Sequence, residues 1–226
     1  MPGDTNAKKP PMSAVPATPH KPVPDGEQSG LRIPSHEFCG GRLALDFCNS
    51  YTPDRPAGDN DRLPDLAALV AWAQRAGWPL AGIAPAQPTA GDLQAFRSLR
   101  LRLWNLFTAA IDRREPDPAD IDALDGAVLD AFSSLRLSPG KAGGPLVWQE
   151  TAGPLDKLRH AIARDAADLL TAGELKRLKR CPGAHCGWLF YDTSKNASRR
   201  WCVMEDCGTR DKVRRFRARQ RSEPAF

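Results

Sequence analysis

Histidine is scarce in this sequence, with four in 226 residues, and there are only two tyrosines. Two of the four, His20 and His36, lie near the N-terminus; His160 and His185 stand far apart from them. None falls in WLFYDTSKNASRRW, the stretch between the paired cysteines, where metal-dependent phosphodiester hydrolysis would need a general base. An enzyme of that kind is not expected. Also missing is any run approaching the ~18 uncharged apolar residues of a membrane helix. The opening MPGDTNAKKPPM lacks the apolar segment of a secretory signal. The expectation is a cytoplasmic chain with no membrane partner, in a compartment that keeps thiols reduced.

What is present is a strong segregation of charge. The net charge is +5, yet Lys176 to Arg221 carries 14 Lys/Arg against four Asp/Glu, while residues 1–175 carry 18 against 22. Charge divided in this way predicts that the last quarter meets a polyanion while the rest does something else.

Residues 1–34 contain eight prolines and few large apolar side chains, and are expected to form a disordered tail. FCGGRLALDFCNSY alternates Leu43, Leu45 and Phe47 with Ala44, Asp46 and Cys48, the pattern of a short half-buried strand. A helix is expected from Pro64 or Asp65, carrying Leu66, Leu69, Val70 and Ala73 on one face and stopping near Gly77 and Pro79. The next helix follows from Leu93, Phe96, Leu99, Leu103, Leu106 and Phe107, with Arg97, Arg100 and Arg102 elsewhere on the cylinder. Asp117 caps another, with Pro118 at its first position and an apolar stripe of Ile121, Leu124, Val128, Leu129 and Phe132. PLVWQE is a second short strand. The final helix of the body has Leu158, Ile162, Ala166 and Leu169 on one face and ends near Gly173. Residues 35–175 thus read as a mostly helical body with a small sheet, an α+β arrangement that is mainly α.

From residue 176 to 221 the chain changes character. Cys181 and Cys186 enclose PGAH, Cys202 and Cys207 enclose VMED, and fifteen residues separate the pairs. Zinc takes four tetrahedral ligands and favours thiolate, and Pro182 and Gly183 permit the bend that aims two sulfurs at one ion. Strand formers in WLFYD and turn formers in SKNAS suggest a knuckle, a hairpin, the second cysteine pair and then a helix, a treble-clef-like plan. Some 40 residues hold too little core to fold by burial alone, and metal can supply on the order of ~10 kcal/mol. Trp188 and Trp201 beside the knuckles are expected to form its miniature core, and His185 to be a bystander.

Within GTRDKVRRFRARQR, Val213 and Phe216 are expected to face the zinc core. Arg210, Arg214, Arg217 and Arg221 share another face at steps of four, three and four, widened by Lys212, Arg215 and Arg219. Arg199 and Arg200 add to the charge ahead of the second cysteine pair. Like charges so spaced repel unless an anion relieves them, and phosphates would do so. An acidic protein surface is the alternative partner, and RNA would suit the same helix as DNA.

Over about 40 positions, CP…CGWLFYDTSKN…RRWC…CGTR-x-K-x-RRFRAR resembles the CGNR-type zinc finger. By that resemblance Cys181, Cys186, Cys202 and Cys207 are the zinc ligands. The naming motif departs at one place: Thr209 stands where the family has Asn, and its hydroxyl is expected to cap the following helix. GGRLALDFCNS, PLVWQE and AADLLTAGELKRLKRCP resemble the ABATE domain that accompanies this finger. The resemblance implies a bacterial DNA-binding transcription regulator, whose helical body senses a small ligand or pairs two copies as a homodimer. For a ligand pocket the candidates are Asp46 and Asn49, with Arg42, Trp148 and Arg159 as neighbours; the bland alternative has Asp46 and Asn49 serving local backbone. Cys39 and Cys48 read as small buried apolar groups.

Overall fold

The computed structural model describes residues 38–52, 60–78, 90–171 and 174–222. The Pro-rich tail, His20, His36, Pro79 and Gly173 lie outside these.

The first element is a helix, α1 (Leu43–Cys48), and not the expected strand. All six of its side chains are buried, so the positions read as an outward face, Ala44, Asp46 and Cys48, point into protein as well. Where every position is buried, alternation of large and small residues carries no period. Six residues cannot hold a helix in isolation, and α1 is fixed from outside. The Asp165 carboxylate accepts from Ala44 N at 2.8 Å and from Arg42 Nε at 2.7 Å, closing the helix start.

Helix α2 (Leu66–Arg75) begins where Asp65 accepts from Ala68 N, and it ends at Gly77, whose φ is 75°. Helix α3 (Ala90–Asp112) buries Phe96, Leu99, Leu103, Leu106 and Phe107 as its periodicity requires. Arg100 departs from expectation by lying inside. It donates to both oxygens of Asp61 at 2.9 Å and to Ser50 Oγ at 2.9 Å, which lets a guanidinium stay buried.

Helix α4 (Pro118–Ser133) has the expected Asp117 cap, but its buried side is Leu124, Ala127 and Ala131. Ile121, Leu129 and Phe132, which the sequence places on the core stripe, are about half exposed. Small residues let α4 approach α3 and α5 closely, and the larger apolar ones are turned outward.

Strands β1 (Leu135–Pro139) and β2 (Leu146–Glu150) form an antiparallel hairpin that pairs Leu135 with Glu150 and Pro139 with Leu146. The second is expected from sequence; the first is not, because LRLSP lies directly against the end of α4 with no turn signal between. Helix α5 (Pro154–Thr171) buries Leu158, Ile162, Ala166 and Leu169, in agreement with their spacing. A short 3₁₀ turn (Leu175–Arg177) then enters β3 (Leu178–Arg180), which pairs antiparallel with β4 (Leu189–Tyr191). After a π-helical turn (Met204–Gly208), α6 (Thr209–Ser222) closes the described chain.

The core is continuous across these parts. Leu178 and Leu189, from β3 and β4, lie in one apolar cluster with Phe47, Trp72, Leu103, Phe107 and Ile162. Burying each large side chain of this kind contributes about 1.5–3 kcal/mol.

Candidate metal centre and nucleic-acid interface

The β3–β4 hairpin encloses the first cysteine pair, whereas the sequence suggests a hairpin following it. Cys181 N donates to Trp188 O at 2.8 Å, which carries the ladder one step past Arg180 and Leu189. Alternation along β4 then divides its side chains. Leu189 enters the core shared with the helices, while Trp188 and Phe190 pack with the cysteines. The SKNAS segment is gathered by Asp192, which accepts from Ser194 N and Oγ, from Arg199 N and from Lys179 Nζ. That buried carboxylate organises the segment where the hairpin was expected.

Cys181, Cys186, Cys202 and Cys207 are all buried, and their sulfurs lie within 4.8 Å of one another. Tetrahedral thiolates ~2.3 Å from one ion stand ~3.8 Å apart. The Cys186–Cys202 and Cys202–Cys207 separations are both 3.6 Å, far from the ~2.05 Å of a disulfide. The cradle has no spare room, since a Cβ added at Gly183 would stand 3.0 Å from Cys207 Sγ. Hydrogen bonds from the Cys186 and Cys202 thiols hold the Cys181 sulfur below the thiol range, and sharing with Cys181 pushes Cys186 and Cys202 up. Burial raises Cys207. Four sulfurs so close cannot all ionise without a cation among them, and this donor set fits Zn²⁺. Bound there, zinc is a structural crosslink with no open coordination position. His185 is exposed, in a left-handed turn with φ of 58°, and stands outside the sulfur set.

Arg199, expected among the nucleic-acid contacts, is committed to the fold. Its guanidinium donates to Cys39 O at 2.8 Å, to Trp201 O at 3.0 Å and to Cys202 O, and it lies 4.5 Å from the Phe190 ring centre. Arg200 is exposed beside the Trp201 ring. Cys39 packs against the sulfur cluster and Cys48 is buried in the body, its thiol raised by burial.

Beyond Asp211, α6 projects into solvent, and every residue from Lys212 to Arg221 is exposed, Val213 and Phe216 to 42% and 61%. These two therefore do not face the zinc core. The turn of α6 that touches the finger is held instead by Asp211, which is buried and accepts from Arg214 at 2.6 Å and Arg215 at 2.7 Å. A carboxylate there also suits the positive end of the helix dipole. Arg210 pairs with Asp206 at 2.7 Å. Among the described residues Lys212, Arg217 and Arg221 have no acidic partner. Arg210, Arg214, Arg217 and Arg221 line one groove with Thr209 and Val213, as the spacing requires. Thr209 does not cap α6, for its hydroxyl donates to Met204 O at 3.3 Å, back into the preceding turn.

The five residues considered for a ligand pocket do not converge on one. Asp46 is fully buried and accepts from Gly40 N at 2.7 Å; Arg42 is held by Asp165. Trp148 is exposed on the hairpin, and Arg159 ties Asp130 to Asp156. Asn49 spans to the finger: its Nδ2 donates to Leu189 O at 2.8 Å and its Oδ1 accepts from Leu189 N at 2.7 Å. Trp188 Nε1 donates to Thr52 Oγ1 at 2.9 Å, and Tyr191 N to Gly40 O at 2.8 Å. The segments around α1 are thus the seat of the finger, a role that sequence reasoning misses. The one clue in the sequence is that Asn49 and Thr52, both polar, stand close to strongly apolar neighbours.

Two family models match the chain. Residues 41–173 match ABATE, described as "Putative stress-induced transcription regulator", and residues 177–220 match the CGNR zinc finger. No curated protein matches the chain. Among the described residues no helix is long and apolar enough to cross a membrane.

Proposed function

The chain belongs to the ABATE family and carries a CGNR zinc finger behind that domain, and from this premise we propose that it is a zinc-dependent, DNA-binding transcription regulator of the cytoplasm. One observation carries the proposal. α6 holds seven Lys/Arg and one Asp and is exposed from Lys212 to Arg221; Asp206 and Asp211 pair with Arg210, Arg214 and Arg215, while Lys212, Arg217 and Arg221 have no acidic partner among the described residues. A helix of this width fits the major groove, where Arg and Lys neutralise phosphates and release counterions. Thr209, Val213, Phe216 and Gln220 follow one another at helical spacing between the two cationic flanks. In the groove that strip meets base edges, where an aromatic or branched side chain suits a thymine methyl and Gln suits adenine.

Zinc, Asp211 and the π-helical turn set the angle of α6, and Asn49, Thr52 and Arg199 set the finger on the helical body. The body then acts as a rigid mount for the reading helix. Binding of purified zinc-loaded protein to duplex DNA, followed against salt concentration, tests the idea. A steep salt dependence that disappears in the Arg214→Glu/Arg217→Glu variant supports it. Retention of an acidic protein with no nucleic-acid binding at low salt would instead make the finger a protein adaptor, and preference for RNA over DNA would change the polymer.

A further inference from the structure

The β1–β2 hairpin stands out from the body as an arm. Leu137, Leu146, Val147 and Trp148 are 46–63% exposed, on both faces of two strands that have no third neighbour among the described residues. A two-stranded ribbon with bare apolar faces is marginal in water without something to pack against. Its root is well fixed, since Glu150 is hydrogen-bonded to His160 Nδ1 at 2.7 Å and accepts from Arg164 at 3.2 Å. The root of the arm is therefore fixed, while the described residues leave its apolar side chains about half uncovered.

A second uncovered apolar surface lies on α4. Ile121, Leu129 and Phe132 are 47–60% exposed and fall within one third of the helix circumference, together with Val128 and Asp125. The two surfaces are opposite in charge. From Arg136 to Gln149 the arm contains Arg136 and Lys141 and no acid; on α4, which contains no base, Asp120 is buried against Arg102 and Asp130 pairs with Arg159, which leaves Asp122 and Asp125 as the acids of the outer face. Asp125 lies within the apolar strip and Asp122 at its edge, and neither has a cationic partner among the described residues.

We propose that the chain forms a two-fold symmetric dimer in which the β1–β2 arm of each copy lies across the outer face of α4 of the other. Two-fold symmetry uses both surfaces of both copies, the arm through the face that carries Leu137, Leu146 and Trp148. Leu137, Leu146 and Trp148 on one face of the arm, with Ile121, Leu129 and Phe132 of α4, offer roughly 600 Å² per copy, the apolar centre of an interface near the ~800 Å² per partner of a stable one. The basic arm against the acidic helix fixes orientation and excludes arm-on-arm or α4-on-α4 pairing, each of which would bring like charges together. The dimer does not depend on the DNA-binding assignment; were that assignment correct, it would present two copies of α6 to two half-sites.

The test is sedimentation equilibrium of the zinc-loaded full chain with two charge-swapped variants. One carries Leu146→Glu and Trp148→Glu on the arm, the other Leu129→Lys and Phe132→Lys on α4. All four positions are exposed, and thermal melting by circular dichroism confirms that each variant is folded. The wild type is expected to dimerise with Kd at or below ~1 μM. Each variant alone should be at least ~100-fold weaker. Mixed together, they should restore a heterodimer, because one contact is then native and the other has exchanged charges. A wild type that stays monomeric at every soluble concentration overturns the proposal. So does dimerisation of either variant at wild-type strength, or a mixture that fails to pair.

Discussion

Asn49 pairs with Leu189 as a neighbouring strand would, donating to its carbonyl at 2.8 Å and accepting from its amide at 2.7 Å. A side-chain amide thus completes the free edge of β4 and joins the end of α1 to the zinc finger, 140 residues away in sequence. Replacing it by alanine strands a buried N–H and a buried C=O. Asn49→Ala should lower unfolding stability by about 3 kcal/mol, read from urea midpoints of the zinc-loaded protein. A loss within the ~0.5 kcal/mol of a surface substitution would show that the pair contributes nothing to holding the finger.

Zinc removal should release α6 and leave the body folded. Leu178 and Leu189 are anchored in the shared core, so chelation is expected to leave the far-UV signal of α1–α5 largely intact while α6 loses its fixed direction. Native mass spectrometry should count one zinc per chain and none for Cys202→Ser. At fixed salt, DNA affinity of the chelated protein should fall to that of Arg214→Glu/Arg217→Glu. Equal binding with and without zinc would break the link between metal and helix.

The cations of α6 should differ in worth. Arg214 is already paired with Asp211, while Arg217 and Arg221 have no acidic partner among the described residues. Arg217→Gln should weaken binding to all sequences alike and lower the slope of log K against log[salt] by about one. Phe216→Ala should leave that slope unchanged and alter the order of preferred sites in a selection from random duplexes. If Phe216→Ala changes the slope and leaves site preference untouched, the strip between the cationic flanks does not face the bases.

Acid should weaken the Asp61–Arg100 contact. Burial raises the Asp61 carboxyl, but hydrogen bonds and charge from Arg100, with the Leu63 amide and Arg97, outweigh it and hold the group below its ordinary value. A depressed folded pKa contributes stability above the unfolded value near ~3.9, and that contribution is lost as pH falls through the folded value. The stability difference between wild type and Asp61→Asn should therefore be flat near neutral pH and shrink below about pH 4. Zinc loss in acid affects both proteins alike and cancels in the difference. A gap that stays constant to about pH 3 would show that Arg100 does not favour the charged carboxylate.

Much of the fold is legible in local sequence. The caps at Asp65 and Asp117, the stop at Gly77 and the core faces of α3 and α5 are local chemistry, written in spacing and turn residues. So is the gathering of four cysteines, because each pair is brought together by its own short loop. Burial is what the sequence does not display. Leu43 and Leu45 look like one face of a strand only if Ala44 and Asp46 are outside, and Ile121 and Phe132 look like core only if α4 buries its largest residues. Val213 and Phe216 fail for the same reason, since apolar character does not imply contact with the nearest core.

Sequence alone determined the helix periods, the metal-ligand set and the arginine face of α6, because these depend on residues a few positions apart. Only tertiary structure decided that α1 is a helix, that Asn49 and Thr52 seat the finger, that Arg199 is a clamp and that the hairpin and α4 stand bare. Most of these depend on which surfaces meet across long stretches of chain, and no local spacing encodes that. A partner as distant as Asp165 can close a helix too short to persist by itself, and the energy that selects the conformation resides in the contact.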